Sequence, residues 1–555
     1  MSSQFFAVRG FRLGFALMAA LAVGLLREPA AVAANSCPTT IVMPTGVGVG
    51  TASDVTTLNL LLSSSLYSTE AAELLYPVPL YVDPNAQIDW SRSLYAKIEP
   101  NRDGTTYLVT LHRRLWSDGV PLTADDFLYT YQLMIALGSN YTNYGVGGIP
   151  NLIKKFTVLD PEHFEIDLTQ KSNPTWFTLG GLASFWPFPR HIWGKYSADE
   201  VYEHQSDPDF FRAVYGPYKL ETLQLGRYAS FVPNPLYPLH KPTQRLVLKF
   251  VESDGEALQG VQSDEIDLAN LPFSVFEIGR NIKDTYLVHP TPPLIDNNIG
   301  VNFNDTSSPY FHDVRVRQAM EDAIDQKAII KAALHGQGLE NYNLVPPRPA
   351  VFNSPDARAG KFPVGYDPAK ADALLDAAGY KIGPDGIRVN RDGVKIAITM
   401  LVASNQEYRI AMAEMVQREF LAVGIKLTIK LVDFNQLLAT IFSNVAPWQA
   451  YLIGDTFGGY PSGELLYKTG GVENFGHYSD AKMDRLIQAN ITEPGEQGLY
   501  DYEDYGAEQQ PVIFLPLEVD TVLTHNDITG VEQLNTPDTG WYPQYLNVRC
   551  PHAGQ

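Results

Sequence analysis

The sequence predicts a mixed α/β protein made of several folding units, and three observations lead there. The chain has 555 residues, 45% of them hydrophobic and 19% charged. At about 100–200 residues per domain, that length corresponds to three or four units with sizeable cores. Short strand-like runs alternate with amphipathic helices. No internal repeat, heptad run or low-complexity tract interrupts the alternation.

Residues 1–12 carry Arg9 and Arg12 and no acid, Leu13–Leu26 is wholly apolar apart from its glycines, and Ala31-Val32-Ala33-Ala34 offers small residues. A membrane-spanning helix needs roughly 20 apolar residues. The run is shorter, so residues 1–34 read as a secretory signal peptide. Ala34-Asn35-Ser36 before Cys37 lacks the aliphatic residue of a lipid-attachment site, which predicts a soluble periplasmic protein without a lipid anchor. In an oxidising compartment the only two cysteines, Cys37 and Cys550, are expected to pair.

Further along, Thr40–Met43 and Tyr107–Leu111 are strand patterns. After the Ser117–Pro121 turn, Thr123 suits an N-cap, Asp126 completes an acidic capping box, and Leu122 and Phe127 form a hydrophobic staple. That helix is expected to reach Leu137. A second starts after Asp313, with Val316, Ala319, Met320, Ala323 and Ile324 on one apolar stripe. Asp325 caps a third that stops near Gly336. A fourth has Asp367 and Pro368 at its start and Gly379 past its end. A fifth, Glu407–Val423, ends at Gly424 and leads into the alternating strand Ile425–Leu431.

Charge removes one class of function. Lys+Arg 41 against Asp+Glu 62 leaves a net charge of −21, and such a surface repels phosphate backbones. Gly46-Val47-Gly48-Val49-Gly50 has the wrong spacing for a dinucleotide fingerprint and reads as a loop. The 11 histidines include no pair at i, i+4, so neither a metal nor another cofactor is expected. Asp501-Tyr502-Glu503-Asp504 reads as a solvated helix face rather than a pair of glycosidase carboxylates. Nothing assembles a nucleophile, a base and an oxyanion site. The 30 Tyr, 26 Phe and 7 Trp leave rings beyond what a minimal core requires. Binding is therefore expected over catalysis.

Several segments carry recognisable motifs in a fixed order. Trp116-Ser117-Asp118-Gly119-Val120-Pro121-Leu122-Thr123-Ala124-Asp125-Asp126 matches W-x-D-G-x-P-x-T-A-x-D. Gly216-Pro217-Tyr218-Lys219-Leu220 is similar to G-P-Y-x-L, with Asn234 and Tyr237 downstream, and Asp264–Asp267 resembles G-E-I-D. Asn302-Phe303-Asn304, Asp313–Ala319 and Ala323-Ile324-Asp325 follow the F-N, V-R-x-A and A-I-D pieces. Tyr366–Tyr380 fits Y-D-P-x-x-A-x-x-L-L-x-x-A-G-Y. Together, in this order, these segments resemble the family 5 extracellular solute-binding proteins of ABC importers, which include oligopeptide-, dipeptide- and nickel-binding proteins.

The resemblance implies a periplasmic-binding-protein-like two-lobe fold (type II, cluster C-like) with an inserted subdomain. By analogy, 35–75, 190–300 and 515–555 form lobe I, 76–189 the insertion and 301–514 lobe II. The chain would cross between lobes near Gly300–Asn304 and return near Pro511–Leu517. Both chain ends then lie in one lobe, which supports the Cys37–Cys550 pairing. Peptide binders of the family anchor the ligand amine with an Asp. One alignment places Asp455 there and a gapless one a glycine. Where some dipeptide binders have an Arg for the ligand carboxylate, this chain has Ala403-Ser404-Asn405-Gln406, with Arg409 only later on a helix.

A neutral or cationic ligand held by stacking and amide hydrogen bonds therefore fits at least as well as a peptide clamped at both ends. Candidate ligand contacts are Asp455, Phe457, Tyr460, Phe434, Asn405, Gln406 and Trp448; Trp116 and Tyr218 are assigned to structure. The expected partners are a small-molecule or peptide ligand and ABC permease subunits, with the protein itself a monomer. A secreted hydrolase and a signalling receptor of the same fold are the rival readings.

Overall fold

One carboxylate shows how a local motif is built into the fold. In the computed structural model, Asp126 Oδ2 accepts the Thr123 N–H at 2.9 Å and the Trp116 indole N–H at 3.3 Å. Its Oδ1 accepts the Arg190 N–H at 3.0 Å. The capping box of the Ala124–Leu137 helix thus also holds Trp116 and the chain at Arg190. Burial still pushes the Asp126 carboxyl above its usual range against these donors. The structure describes residues 38–45, 55–63, 65–205, 207–251, 253–289, 295–362, 365–443, 447–456, 459–534 and 541–549. The signal segment, Gly46–Gly50, Cys37, Cys550 and Phe457 lie outside them, and Asp455 is described by its backbone alone.

The other expected caps are present. Asp313 accepts from the Arg315 N–H at the start of Val314–Asp322, Asp325 from Ala328 for Gln326–Ala332, and Asp367 from Lys370 for Pro368–Ala377. The last ends before Gly379, whose φ of +90° suits glycine. Glu407–Ala422 passes through Gly424 into the Lys426–Val432 strand. Residues Val316, Ala319, Met320, Ala323 and Ile324 are all buried.

Four larger sheets organise the described chain. Thr40–Pro44 runs parallel to Arg245–Lys249, which continues antiparallel through Tyr228–Pro233 to Tyr218–Gln224. Leu268–Asn270, Val522–His525 and Thr285–Val288 form a second sheet. The antiparallel Tyr95–Pro100, Thr106–Leu111, His163–Leu168 and Ile153–Asp160 form a third.

The fourth has seven strands. Its central Ile295–Val301 strand pairs antiparallel with Ala450–Thr456 on one side and with Val512–Phe514 and Leu517–Glu518 on the other. Ala397–Ala403 lies parallel to both Lys426–Val432 and Ala450–Thr456, with Glu407–Ala422 as the crossover helix. Many of the aromatic side chains are core. Tyr76 packs edge-on against Trp116, Phe188, Trp193 and Tyr215, and Tyr218 is buried too. Among the described residues no helix is long and apolar enough to cross a membrane.

Candidate ligand-binding site

The central strand of the seven-stranded sheet carries Asp296, Asn297 and Asn298 in succession, all buried. Three polar residues in a row contradict the apolar run expected of a strand covered on both faces. Their neighbours explain it. Asn297 Oδ1 accepts from Arg409 Nε at 2.9 Å, and its amide donates to the Pro516 carbonyl at 3.1 Å. Asp296 Oδ1 accepts from the Asn341 amide at 2.7 Å. Across the sheet, the register partner of Asp296 is Asp455, and that of Asn297 is Gly454.

Arg409 sits in the first turn of Glu407–Ala422. Its guanidinium also donates to Gln406 Oε1 at 2.6 Å and to Glu518 Oε1 at 3.3 Å. Burial pushes the Glu518 carboxyl up, while the Arg409 charge opposes that shift. This arginine is therefore held by an internal carboxylate and two amide oxygens. The preceding Asn405 is exposed and Gln406 half-buried.

A second wall forms where residues 171–182 meet 459–496. Asn173 caps the Pro174–Trp176 turn by accepting from Thr175 N–H. Its amide donates to Tyr460 Oη at 3.3 Å and to the carbonyls of Asn490 and Gly495 at 2.9 and 3.0 Å. Thr175 Oγ1 and Tyr460 Oη both donate to Glu496. The Trp176 indole donates to Glu464 Oε1 at 3.2 Å. These contacts border a solvent-open cavity lined by Gly147, Trp176, Gly180, Tyr460–Tyr467, Glu473 and Tyr502. Backbones approach closely here: a Cβ on Gly147 would stand 2.2 Å from the Gly180 carbonyl carbon. Burial raises the Glu464 carboxyl to about 7 against the donors from Trp176 and the Gly147 backbone.

The sequence-predicted contacts scatter around these two walls. Tyr460 lines the cavity and packs edge-on against Phe352 at 5.4 Å. Trp448 is 3% exposed, inside an apolar cluster with Leu401, Leu437, Ile441, Tyr451, Ile453 and Phe475. Phe434 opens the Phe434–Ser443 helix, half-buried. The Asp501–Asp504 run differs from expectation. It is solvated only in part: Asp501 is exposed and Asp504 half-buried, but Glu503 is fully buried and accepts from Asn343, Asn353 and the Ser354 N–H. Sequence reasoning missed Asn173, Trp176, Glu464, Glu496 and Tyr502. Only the Asn173-Pro174 cap carries a local signal. No group of three or more His, Cys, Asp or Glu among the described residues is placed to hold a metal ion.

The fold belongs to a recognised class. The model of the bacterial extracellular solute-binding proteins, family 5, matches residues 90–473, and the chain belongs to that family. Its function is that of the substrate-binding component of an ABC importer, and its family comprises binding proteins rather than enzymes. Among curated relatives, the oligopeptide-binding protein AppA of Bacillus subtilis is 25% identical over 481 residues, 84% of this chain and 85% of AppA. The structure of AppA with a nonapeptide superposes with a TM-score of 0.71 at 21% identity, covering 91% of this chain and 99% of AppA. NikZ from Campylobacter jejuni, solved with Ni(L-His), gives 0.72 at 22% identity, covering 89% and 95%. One fold thus accompanies a nonapeptide in one relative and a metal chelate in another.

Proposed function

We propose that the protein captures a neutral or cationic, peptide-like or otherwise small polar solute between two lobes and delivers it to a membrane permease from the periplasm. The carrying observation is the state of Arg409, already bound by Glu518, Gln406 and Asn297. Withdrawing it to receive a ligand carboxylate would strand the Glu518 charge in a buried position. The Asp296–Asp455 register supports the same reading, since two acids paired across strands favour a positive group nearby.

In this reading, lobe I holds the four-stranded sheet that starts at Thr40 and the Leu268–Asn270 sheet. Residues 76–189 form the insertion, and the strands of the seven-stranded sheet within 301–514 belong to lobe II, with Ile295–Val301 and Leu517–Glu518 lying at the two crossings between lobes. Ligand contacts from both lobes favour the closed state and shift the population toward it. Asp455 anchors the ligand's positive group, while Tyr460 and Phe457 supply ring surface.

A thermal-shift screen across peptides, oligosaccharides, polyamines and metal chelates tests this. Stabilisation is expected from amine-bearing ligands, equally for free and amidated C-termini, without product formation. Asp455→Asn should weaken those ligands by about tenfold or more. Turnover of a ligand, or strict dependence on a free carboxylate, would overturn the proposal.

A further inference from the structure

A second pocket lies well outside those walls, where residues 77–94 meet the C-terminal segment. It opens to solvent, and its lining includes Arg92, Arg114, Tyr81, Tyr237, Tyr542 and Gln544. No Asp or Glu lines it. On a chain where acids outnumber bases by 62 to 41, two guanidiniums facing one cavity call for a reason.

Neither guanidinium has an ion pair among the described residues. Arg92 stacks on the Tyr81 ring at 3.4 Å, with Tyr542 and Tyr545 at 5.6 and 5.4 Å. Stacking occupies the face of the guanidinium and leaves its N–H edge available. Asp89, the carboxylate whose field reaches Arg92, accepts from the Ser91 hydroxyl and from the Ser91 and Arg92 backbones. Arg114 makes a single long contact of 3.4 Å, to the Arg113 carbonyl.

Two polar groups complete the cavity. The field of both arginines reaches the Tyr237 phenol, which has no hydrogen-bond partner among the described residues although the residue is only 7% exposed. Gln544, 3% exposed, leaves its Oε1 without a partner there too, but that oxygen is an acceptor, so the donors open to an anion are those of Arg92, Arg114 and Tyr237. Buried polar groups are normally satisfied, so a donor-rich cavity with open valences implies an occupant.

We infer that this pocket binds a small aromatic carboxylate, its carboxylate held by Arg92, Arg114 and the Tyr237 hydroxyl and its ring packed among the tyrosines. The guanidinium forks match a planar carboxylate, and the tyrosine walls match a flat apolar body. The site is independent of the interlobe ligand proposed above.

Calorimetric titration of the full chain with benzoate, and separately with inorganic phosphate, tests the assignment. Benzoate is expected to bind at millimolar or lower concentration and more tightly than phosphate. Arg114→Gln and Arg92→Gln should each weaken it by about tenfold or more, whereas Asp455→Asn should not change it. Protection of Arg114 from phenylglyoxal by benzoate gives a readout on the unmutated protein. Absence of benzoate binding, phosphate binding at least as tightly, unchanged affinity in both arginine variants, or no protection of Arg114 would each overturn the inference.

Discussion

Arg409 and Glu518 meet as a buried ion pair, Nη2 to Oε1 at 3.3 Å, with 7% and 4% of their side chains exposed. The helix that carries Arg409 is thereby tied to a strand that pairs with both Ile295 and Gly338. Arg409→Met would leave the Glu518 charge buried and alone, at a cost of about 3–5 kcal/mol. Adding Glu518→Gln should recover much of that loss. Urea unfolding of the single and double variants measures both, and equal stability of Arg409→Met and the parent would refute the pairing.

Glu464 predicts a pH dependence with a definite sign. Its carboxyl rises from 4.5 to about 7 on folding because burial outweighs the donors from Trp176 and Gly147 and the Lys468 charge. A raised acid binds its proton more tightly in the folded state, so stability falls as pH rises through that window. Glu419 and Glu503, also raised to about 7 by burial, act in the same direction. Glu464→Gln should flatten part of the decline in melting temperature between about pH 4.5 and pH 7. An unaltered slope would refute the assignment.

Gly463 has a φ of +74°, and a Cβ there would lie 2.2 Å from Tyr502 Oη. Gly463→Ala should cost roughly 2 kcal/mol or more, from backbone strain plus overpacking. Tyr502→Phe should be close to neutral, because that hydroxyl has no partner among the described residues. Combining the two should restore part of the alanine loss, and chemical denaturation distinguishes these cases.

Asn173→Ala removes a turn cap and the donor to Tyr460, Asn490 and Gly495. A loss of about 2 kcal/mol is expected. Hydrogen exchange should show faster opening at residues 460 and 490–495 as well as at 173–176. Acceleration at 173–176 alone would mean that the two segments do not support one another.

What the sequence made legible was local. Asp313, Asp325 and Asp367 cap within three residues of themselves, and Gly379 and Gly424 turn the chain where the apolar stripes stop. Side-chain periodicity and capping carry that information in a short window. The site network is different in kind: Arg409 reaches Glu518 over 109 residues, and Asn173 reaches Tyr460 over 287. Neither spacing nor composition encodes such partners. The same limit explains Glu503, whose acidic neighbourhood suggested solvent until Asn343 and Asn353, distant in sequence, enclosed it.

The pairing of Ile295–Val301 with Val512–Phe514 and Leu517–Glu518 bears on how the molecule comes into being. Asn297 bonds to Pro516 across 219 residues, so the central sheet stays open until Pro516 has been synthesised. Contacts of such separation form late and slowly. A nascent chain therefore holds Ile295–Val301 without its Val512–Glu518 partners for about 200 residues of growth, and the sheet's centre closes only after that segment has emerged.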